Sequence, residues 1–270
     1  MPRGEPSRAP WRAAPCRGIV RPMNEFATEV VERLRRARRI TVLTGAGVSA
    51  ESGLPTFRDP LTGLWARYRP EDLATPEAFR RDPELVWSWY RARRDAARQA
   101  QPNPAHLAIA RLESLAEVTL VTQNVDGLHR RAGSRDPVEL HGSLFRTRCG
   151  ADGGEHEGGV DAELEAGRLP RCPDCGALLR PGVVWFGEPL PPAVLERARA
   201  AALDCEVFLS IGTSHQVYPA AALPGLAASA GAMVVVVDPG PQPGAPSGSH
   251  HLAGRAGEML PALLAAAWPG

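Results

Sequence analysis

Four near-continuous apolar runs organise this chain, at residues 40–44, 118–122, 207–211 and 233–237. Their Val, Ile and Leu content, without strict in-out alternation, predicts strands covered on both faces by helices. Each run ends in a polar or glycine-rich turn: Gly45-Ala46-Gly47, Gln123-Asn124, Gly212-Thr213-Ser214 and Asp238-Pro239. Helical spacing precedes the first run over residues 25–39, where Phe26, Val30, Val31 and Leu34 form an apolar stripe. The expected fold class is α/β: a Rossmann-like parallel sheet with helices on both faces. In open sheets of that kind ligands sit beyond the carboxyl ends of the strands, so the four turns should converge on one crevice.

Two inserts interrupt the alternation. Residues 57–102 include a helix at 83–94, with Asp82 as its cap, and residues 143–180 are rich in Gly and Cys. Together they should form a small helical, zinc-binding domain over the crevice. Residues 23–56, 103–142 and 181–270 then make up the larger domain. Residues 239–249 read as a Pro/Gly/Ser-rich loop, followed by a closing helix near residues 256–267. The first 22 residues stand apart: Arg3, Arg8, Arg12, Arg17 and Arg21 face one acid, Glu5, among interspersed prolines. Arg-rich, acid-poor leaders suggest a transit peptide. The prolines deny an amphipathic helix, however, which favours a disordered extension or a true start at Met23. The expected location is cytoplasmic.

Charge narrows the partners. The basic count of 31 is entirely arginine, against 30 acids, for a net charge of +1. That balance gives no electrostatic case for nucleic acid or an anionic membrane. No apolar run approaches the roughly 18 residues of a membrane span. Of the five cysteines, three lie close together, a pattern of a metal site in a reducing compartment rather than of a disulfide framework.

The most telling segment is Thr44-Gly45-Ala46-Gly47-Val48-Ser49-Ala50-Glu51-Ser52-Gly53-Leu54-Pro55-Thr56-Phe57-Arg58-Asp59. Two glycines after a strand allow a tight turn against a pyrophosphate, and Ala50 takes the small third position of the dinucleotide fingerprint. A dehydrogenase would continue through a helix to a second strand. Here Ser52-Gly53-Leu54-Pro55 breaks the helix at once and delivers Phe57 and Arg58 on a loop, which suits chemistry on the cofactor itself.

This stretch resembles the sirtuin family of NAD-consuming protein deacylases. So do Gln123-Asn124-Val125-Asp126-Gly127-Leu128-His129, Leu140-His141-Gly142, Val184-Trp185-Phe186-Gly187-Glu188 and Gly212-Thr213-Ser214, in family order over roughly residues 30 to 240. The resemblance implies that NAD is held by Gly45, Ala46, Gly47, Ser49, Ala50, Glu51, Gly212, Thr213 and Ser214. Gln123, Asn124 and Asp126 would meet the ribose and nicotinamide. Phe57 would shield the sugar carbon and Arg58 orient the pyrophosphate side. Asp238 stands where the family usually has an asparagine at the adenosine ribose. His141 would be the base, a role for which an imidazole titrating near neutrality is suited. His106, His129 and His215 read as structural. Residues 184–188 have strand character and would take the peptide as an added strand through Val184, Trp185, Phe186 and Gly187.

Cys172-Pro173-Asp174-Cys175-Gly176 is a metal knuckle, two thiolates in C-x-x-C before a glycine turn. Upstream, Cys149-Gly150-Ala151-Asp152 lacks the second cysteine that the family offers. Either Asp152 or His156 could complete a structural zinc site. Tyr90 and Arg93, at i and i+3, share a helix face. A phenol and a guanidinium there could grip a carboxylate. Among sirtuins this pair resembles the branch that removes succinyl and malonyl groups, and Ala46 and Ala50 suit a roomy acyl pocket. The expectation is therefore a monomeric enzyme acting on acylated lysine side chains of proteins. It would release nicotinamide and 2′-O-acyl-ADP-ribose, with acetyl removed more weakly. A mono-ADP-ribosyltransferase or NAD glycohydrolase in the same crevice is the competing enzyme, and a zinc-ribbon module binding nucleic acid the competing non-enzyme.

Overall fold

The computed structural model describes residues 26–56, 68–157 and 160–269. In chain order its elements begin with α1 (Thr28–Arg36), β1 (Arg39–Thr44) and α2 (Ala46–Ala50). Helices α3 (Pro70–Leu73), α4 (Pro76–Arg81), α5 (Pro83–Gln99) and α6 (Pro104–Leu112) follow, then β2 (Glu117–Thr122), α7 (Leu128–Arg131) and β3 (Val138–Glu139). Next come β4 (Gly142–Cys149), β5 (Glu155–Glu157), α8 (Val160–Glu165), β6 (Leu179–Val183), α9 (Pro192–Asp204) and β7 (Val207–Ile211). The chain closes with α10 (Leu223–Ser229), β8 (Met233–Asp238), β9 (His250–Ala253) and α11 (Ala256–Ala267).

The large sheet has six strands in the order β3-β2-β1-β7-β8-β9, every pair parallel. Both faces are covered, which is why its central strands are near-continuous apolar runs. Ile40, Val42, Leu209, Val235 and Val237 pack against α1, α6 and α11. Their alternates Leu43, Phe208, Val234 and Val236 pack against α9 and α10. Successive side chains in a strand point to opposite faces, so each strand serves two cores. The extended segment before His141 forms β3, only two residues long, whereas β9 is short and carries His250 and His251 at the sheet edge, so no apolar run announces it.

The small antiparallel sheet runs β5-β4-β6 and packs with α3, α4, α5 and α8 around a third core centred on Trp87, Trp89, Tyr90 and Trp185. Helix α5 starts where expected, with Leu85 N–H donating to Asp82 Oδ1 at 2.9 Å, but runs five residues past the predicted end to Gln99. Asp95, Ala97 and Arg98 are among the residues that carry it on. Arg94 is buried and donates to Leu144 O and to Asp161 Oδ1 at 2.9 Å, tying α5 to β4 and α8. The strand expected over 184–188 is a turn. β6 stops at Val183, and Gly187 at φ +85° turns the chain. Arg180 grips both oxygens of Glu188, whose Oε2 accepts from Trp185 N–H at 2.8 Å, closing the turn.

Candidate active site

Strands β1 and β7 lie side by side, and from them the chain works outward in opposite directions across the sheet. Such a switch point leaves a crevice at the carboxyl ends. Two turns meet there. Gly45 N–H donates to Ile211 O at 3.1 Å, and Gly47 N–H to Gly212 O at 2.9 Å. A Cβ on Gly47 would lie 2.8 Å from Gly212 Cα, and one on Gly212, at φ +57°, would lie 2.5 Å from Val48 N. The glycines are therefore demanded by the two loops touching each other. Thr213, on the second loop, accepts from Gln123 Nε2 at 2.9 Å, so the turn after β2 joins them.

That third turn is cross-braced to the first. Asn124 donates from Nδ2 to Gly45 O at 3.0 Å and to Ser49 Oγ at 3.1 Å, and Ser49 Oγ donates to Asp126 Oδ2 at 2.7 Å. The other oxygen of Asp126 accepts from Leu128 N–H at 2.9 Å. With Nδ2 committed within the loop, Asn124 has its Oδ1 left to accept from a ligand. Below the loops Thr44 Oγ1 and Thr122 Oγ1 are 2.8 Å apart at matched register, and His129 Nε2 lies 2.9 Å from Thr44 Oγ1. Burial pushes His129 down to about 3 and His106, whose tilted ring lies 4.8 Å away, down to about 4, so both imidazoles are neutral supports. His215 is also buried, between Ser210 Oγ at 2.9 Å and Gln242 Oε1 at 3.2 Å.

His141 sits between β3 and β4, half-buried, with Nδ1 3.1 Å from Gln123 O. A carbonyl only accepts, so Nδ1 carries the proton and Nε2 keeps its lone pair. Burial lowers the His141 pKa below the ordinary imidazole value, opposed by the Gln123 carbonyl. The ring is thus a neutral base near pH 7. Not every loop residue turns towards the crevice by contact. Ala46 is partly buried, whereas Ala50 and Glu51 are exposed, and Glu51 Oε1 accepts from Gly257 N–H at 2.9 Å, at the start of α11. Asp238 Oδ1 accepts from Gly240 N–H at 2.9 Å, and Ser214 is partly buried beside Thr213. Phe57 and Arg58 lie outside the described residues, as do residues 1–22.

Tyr90 and Arg93 do share one face of α5. Tyr90 is 1% exposed, and its hydroxyl accepts from Trp185 Nε1 at 3.0 Å. Burial raises its pKa to about 12. The Arg93 guanidinium carbon lies 4.8 Å from the Trp89 ring centroid and 5.6 Å from that of Tyr90. Burial lowers the Arg93 pKa, and the Tyr90 phenol and the Asp126 carboxylate oppose that shift. The cation therefore stands between the aromatic core of the small lobe and the cross-braced loop. Val184 N–H donates to His141 O at 2.9 Å, which places the 184–187 turn beside the base. Within it Trp185 is buried under the Arg180 guanidinium, 3.6 Å above its ring, while Phe186 is 42% exposed.

In the small lobe the thiols of Cys149, Cys172 and Cys175 gather within 4.8 Å of one another. Three convergent thiols are a soft donor set suited to zinc, so the lobe fits a structural ion.

Interlocked glycine turns at a switch point, a neutral imidazole above them and a thiol knuckle alongside define a dinucleotide-handling α/β protein with a metal-binding lobe. The pattern of the Sir2 family matches residues 45–219. "NAD-dependent protein deacylase 1" of Pseudomonas aeruginosa is 56% identical over 89% of this chain and 99% of its own length. A solved Sir2 homologue in complex with NAD superposes with a TM-score of 0.81 at 46% identity, over 88% of this chain and 92% of that one. A Sir2–p53 peptide–NAD+ structure gives a TM-score of 0.77 at 32% identity, over 88% and 96%. The chain belongs to the Sir2 family, the sirtuins.

Proposed function

We propose that this chain is an NAD-dependent protein-lysine deacylase that prefers acidic acyl groups, succinyl and malonyl, over acetyl. The deacylase part rests on family membership and on relatives named for that activity. Those relatives do not favour the ADP-ribosyltransferase or glycohydrolase alternative. NAD supplies the activated sugar that takes the acyl group as nicotinamide departs. The chain's own part is to bind, orient and move one proton. The Gly45–Gly47 and Gly212–Ser214 turns would cradle the dinucleotide, with Asn124 Oδ1, Gln123 and Asp126 at its ribose and nicotinamide end. His141 Nε2 would accept a ribose hydroxyl proton, its tautomer fixed by the Gln123 carbonyl. Phe57 and Arg58 keep the roles their motif suggests, shielding the sugar and orienting the pyrophosphate.

One observation carries the acyl preference: Arg93 is partly buried, its guanidinium set against Trp89 and Tyr90 within electrostatic reach of Asp126. A partly desolvated guanidinium beside a protonated phenol offers charge-assisted donors to a carboxylate at the end of an acyl chain. The peptide would lie along 184–187, with Val184 and Gly187 offering backbone, Phe186 an exposed ring and Trp185 the buried support. The remaining parts of the proposal are a monomer without nucleic-acid or membrane partners and a cytoplasmic location. Net charge +1 supports the former. Among the described residues no helix is long and apolar enough to cross a membrane. Separate cores support a larger domain over 23–56, 103–142 and 181–270 and a small lobe over 57–102 and 143–180, with the correction that β6 and Trp185 extend the small lobe past residue 180. The test is a panel of one peptide carrying acetyl-, malonyl-, succinyl- or glutaryl-lysine. Malonyl or succinyl should exceed acetyl in kcat/KM by about 10-fold or more; acetyl as the best substrate would reject the preference.

A further inference from the structure

We infer that the fourth ligand of the metal site is His156 Nε2, making a three-cysteine, one-histidine centre in which Asp152 takes no part. The observation is one of lengths. Around a tetrahedral zinc with Zn–S about 2.3 Å and Zn–N about 2.05 Å, two sulfurs stand about 3.8 Å apart and a sulfur and a nitrogen about 3.6 Å apart. The Cys149 and Cys175 sulfurs are 3.5 Å apart, and Cys172 Sγ is 3.4 Å from His156 Nε2. Two opposite edges of the tetrahedron thus stand near their ligated lengths, and every sulfur-to-sulfur distance is within 4.8 Å. His156 reaches Cys172 but stands outside the set of three sulfurs, so on binding exposed Cys175 and partly exposed His156 would have to move towards each other.

Asp152 sits next to Cys149 but is otherwise engaged. Its Oδ1 accepts from Gly154 N–H at 2.8 Å, and the carboxylate also takes the Cys149 thiol. Among the described residues it joins no set of three ligand atoms within 4.8 Å, whereas His156 does so with Cys172 and Asp174. The backbone of His156 is fixed as well: it pairs with Thr147 across β4 and β5, and its carbonyl accepts from Thr147 Oγ1 at 3.0 Å. Asp174, 3.9 Å from Nε2, stands as an outer carboxylate. On binding, three thiols lose their protons to solvent and a neutral imidazole joins them. The site then carries one negative charge fewer than a four-thiolate site. It would pin the β4–β5 hairpin to the 172–176 knuckle, and hence to β6 and the turn behind it.

The inference is independent of the acyl preference and is read by metal binding to the full-length protein, using Zn2+ and Co2+ as probes. Wild type should hold about one zinc per chain. His156→Ala should weaken zinc affinity by more than about 100-fold, Asp152→Ala should leave it nearly unchanged, and Cys172→Ser should abolish it. His156→Cys should restore affinity and raise the thiolate-to-cobalt charge-transfer absorption by about a third, the step from three thiolates to four. This rescue separates loss of a ligand from loss of folding. Loss in Asp152→Ala with retention in His156→Ala, or no gain in charge transfer on His156→Cys, overturns the assignment while leaving a metal site. A freshly purified wild type that binds neither ion overturns the site itself.

Discussion

Replacing Arg93 with methionine is the sharpest probe of substrate choice. Methionine keeps an unbranched stem to pack against Trp89 but removes the charge, so packing and electrostatics separate. The size of the effect depends on how dry the guanidinium is. An exposed ion pair is worth about 0.2–1 kcal/mol, a desolvated charge-assisted hydrogen bond about 1.5–3 kcal/mol. Arg93 belongs nearer the second figure, because it is partly buried and two aromatic rings flank its guanidinium carbon, 4.8 and 5.6 Å to their centroids. Its opposing attraction to Asp126 and Tyr90 shows that the cation already has company, so the substrate carboxylate must add to that set rather than fill a void. On this reasoning Arg93→Met should lower kcat/KM for a succinyl-lysine peptide by roughly 10- to 150-fold. The same peptide bearing acetyl-lysine should change by less than about 3-fold. Steady-state kinetics on both, with nicotinamide release as the readout, measures the ratio. Equal losses on the two substrates would make Arg93 a structural residue and would refute the argument.

Other consequences concern protons. His141→Ala should abolish turnover while calorimetry still detects peptide binding; near-normal turnover would remove it as the base. Because burial lowers its pKa, the ring stays neutral down to more acid pH than a free imidazole, and the acid limb of kcat/KM should have its midpoint below about 6.5. A midpoint at or above that value contradicts the burial argument. His129 and His106, held down to about 3 and about 4, take protons in the unfolded chain before they do so in the folded one. Stability should therefore fall as pH drops below about 6.5, by about 2 kcal/mol for each by pH 5. Denaturant titrations between pH 7 and pH 5 measure this, and a flat profile would mean that these rings gain solvent or partners on protonation.

Much of this architecture is written in local pattern. The strands after α1, β1, β2, β7 and β8, announce themselves because both faces of the sheet are covered and only Thr and Ser interrupt their apolar runs. The turns that follow carry Gly, Asn and Asp for reasons of backbone geometry as well as ligand binding. What escaped is pairwise and long-range. Nothing in the sequence near Asn124 says that its amide nitrogen will be used by Gly45 and Ser49, 79 and 75 residues earlier. Arg94 reads like its neighbours in a basic run, yet it is the buried one, because α5 presents a different face at that position to β4 and α8. The Val184-Trp185-Phe186 run has the composition of a strand. Its strand ends early because Glu188, three residues beyond Trp185, caps the Trp185 amide and is clamped by Arg180.

The hydrogen bond from the Trp185 indole to the Tyr90 hydroxyl joins two kinds of recognition in one solid piece. Trp185 belongs to the segment proposed to hold a peptide's main chain, and Tyr90 to the pair proposed to read the cargo on its lysine. A shift of either is felt by the other, so an engineer who transplants α5 alone to change acyl taste should also disturb how the backbone of the target is seated. Moving both segments together is the smaller perturbation.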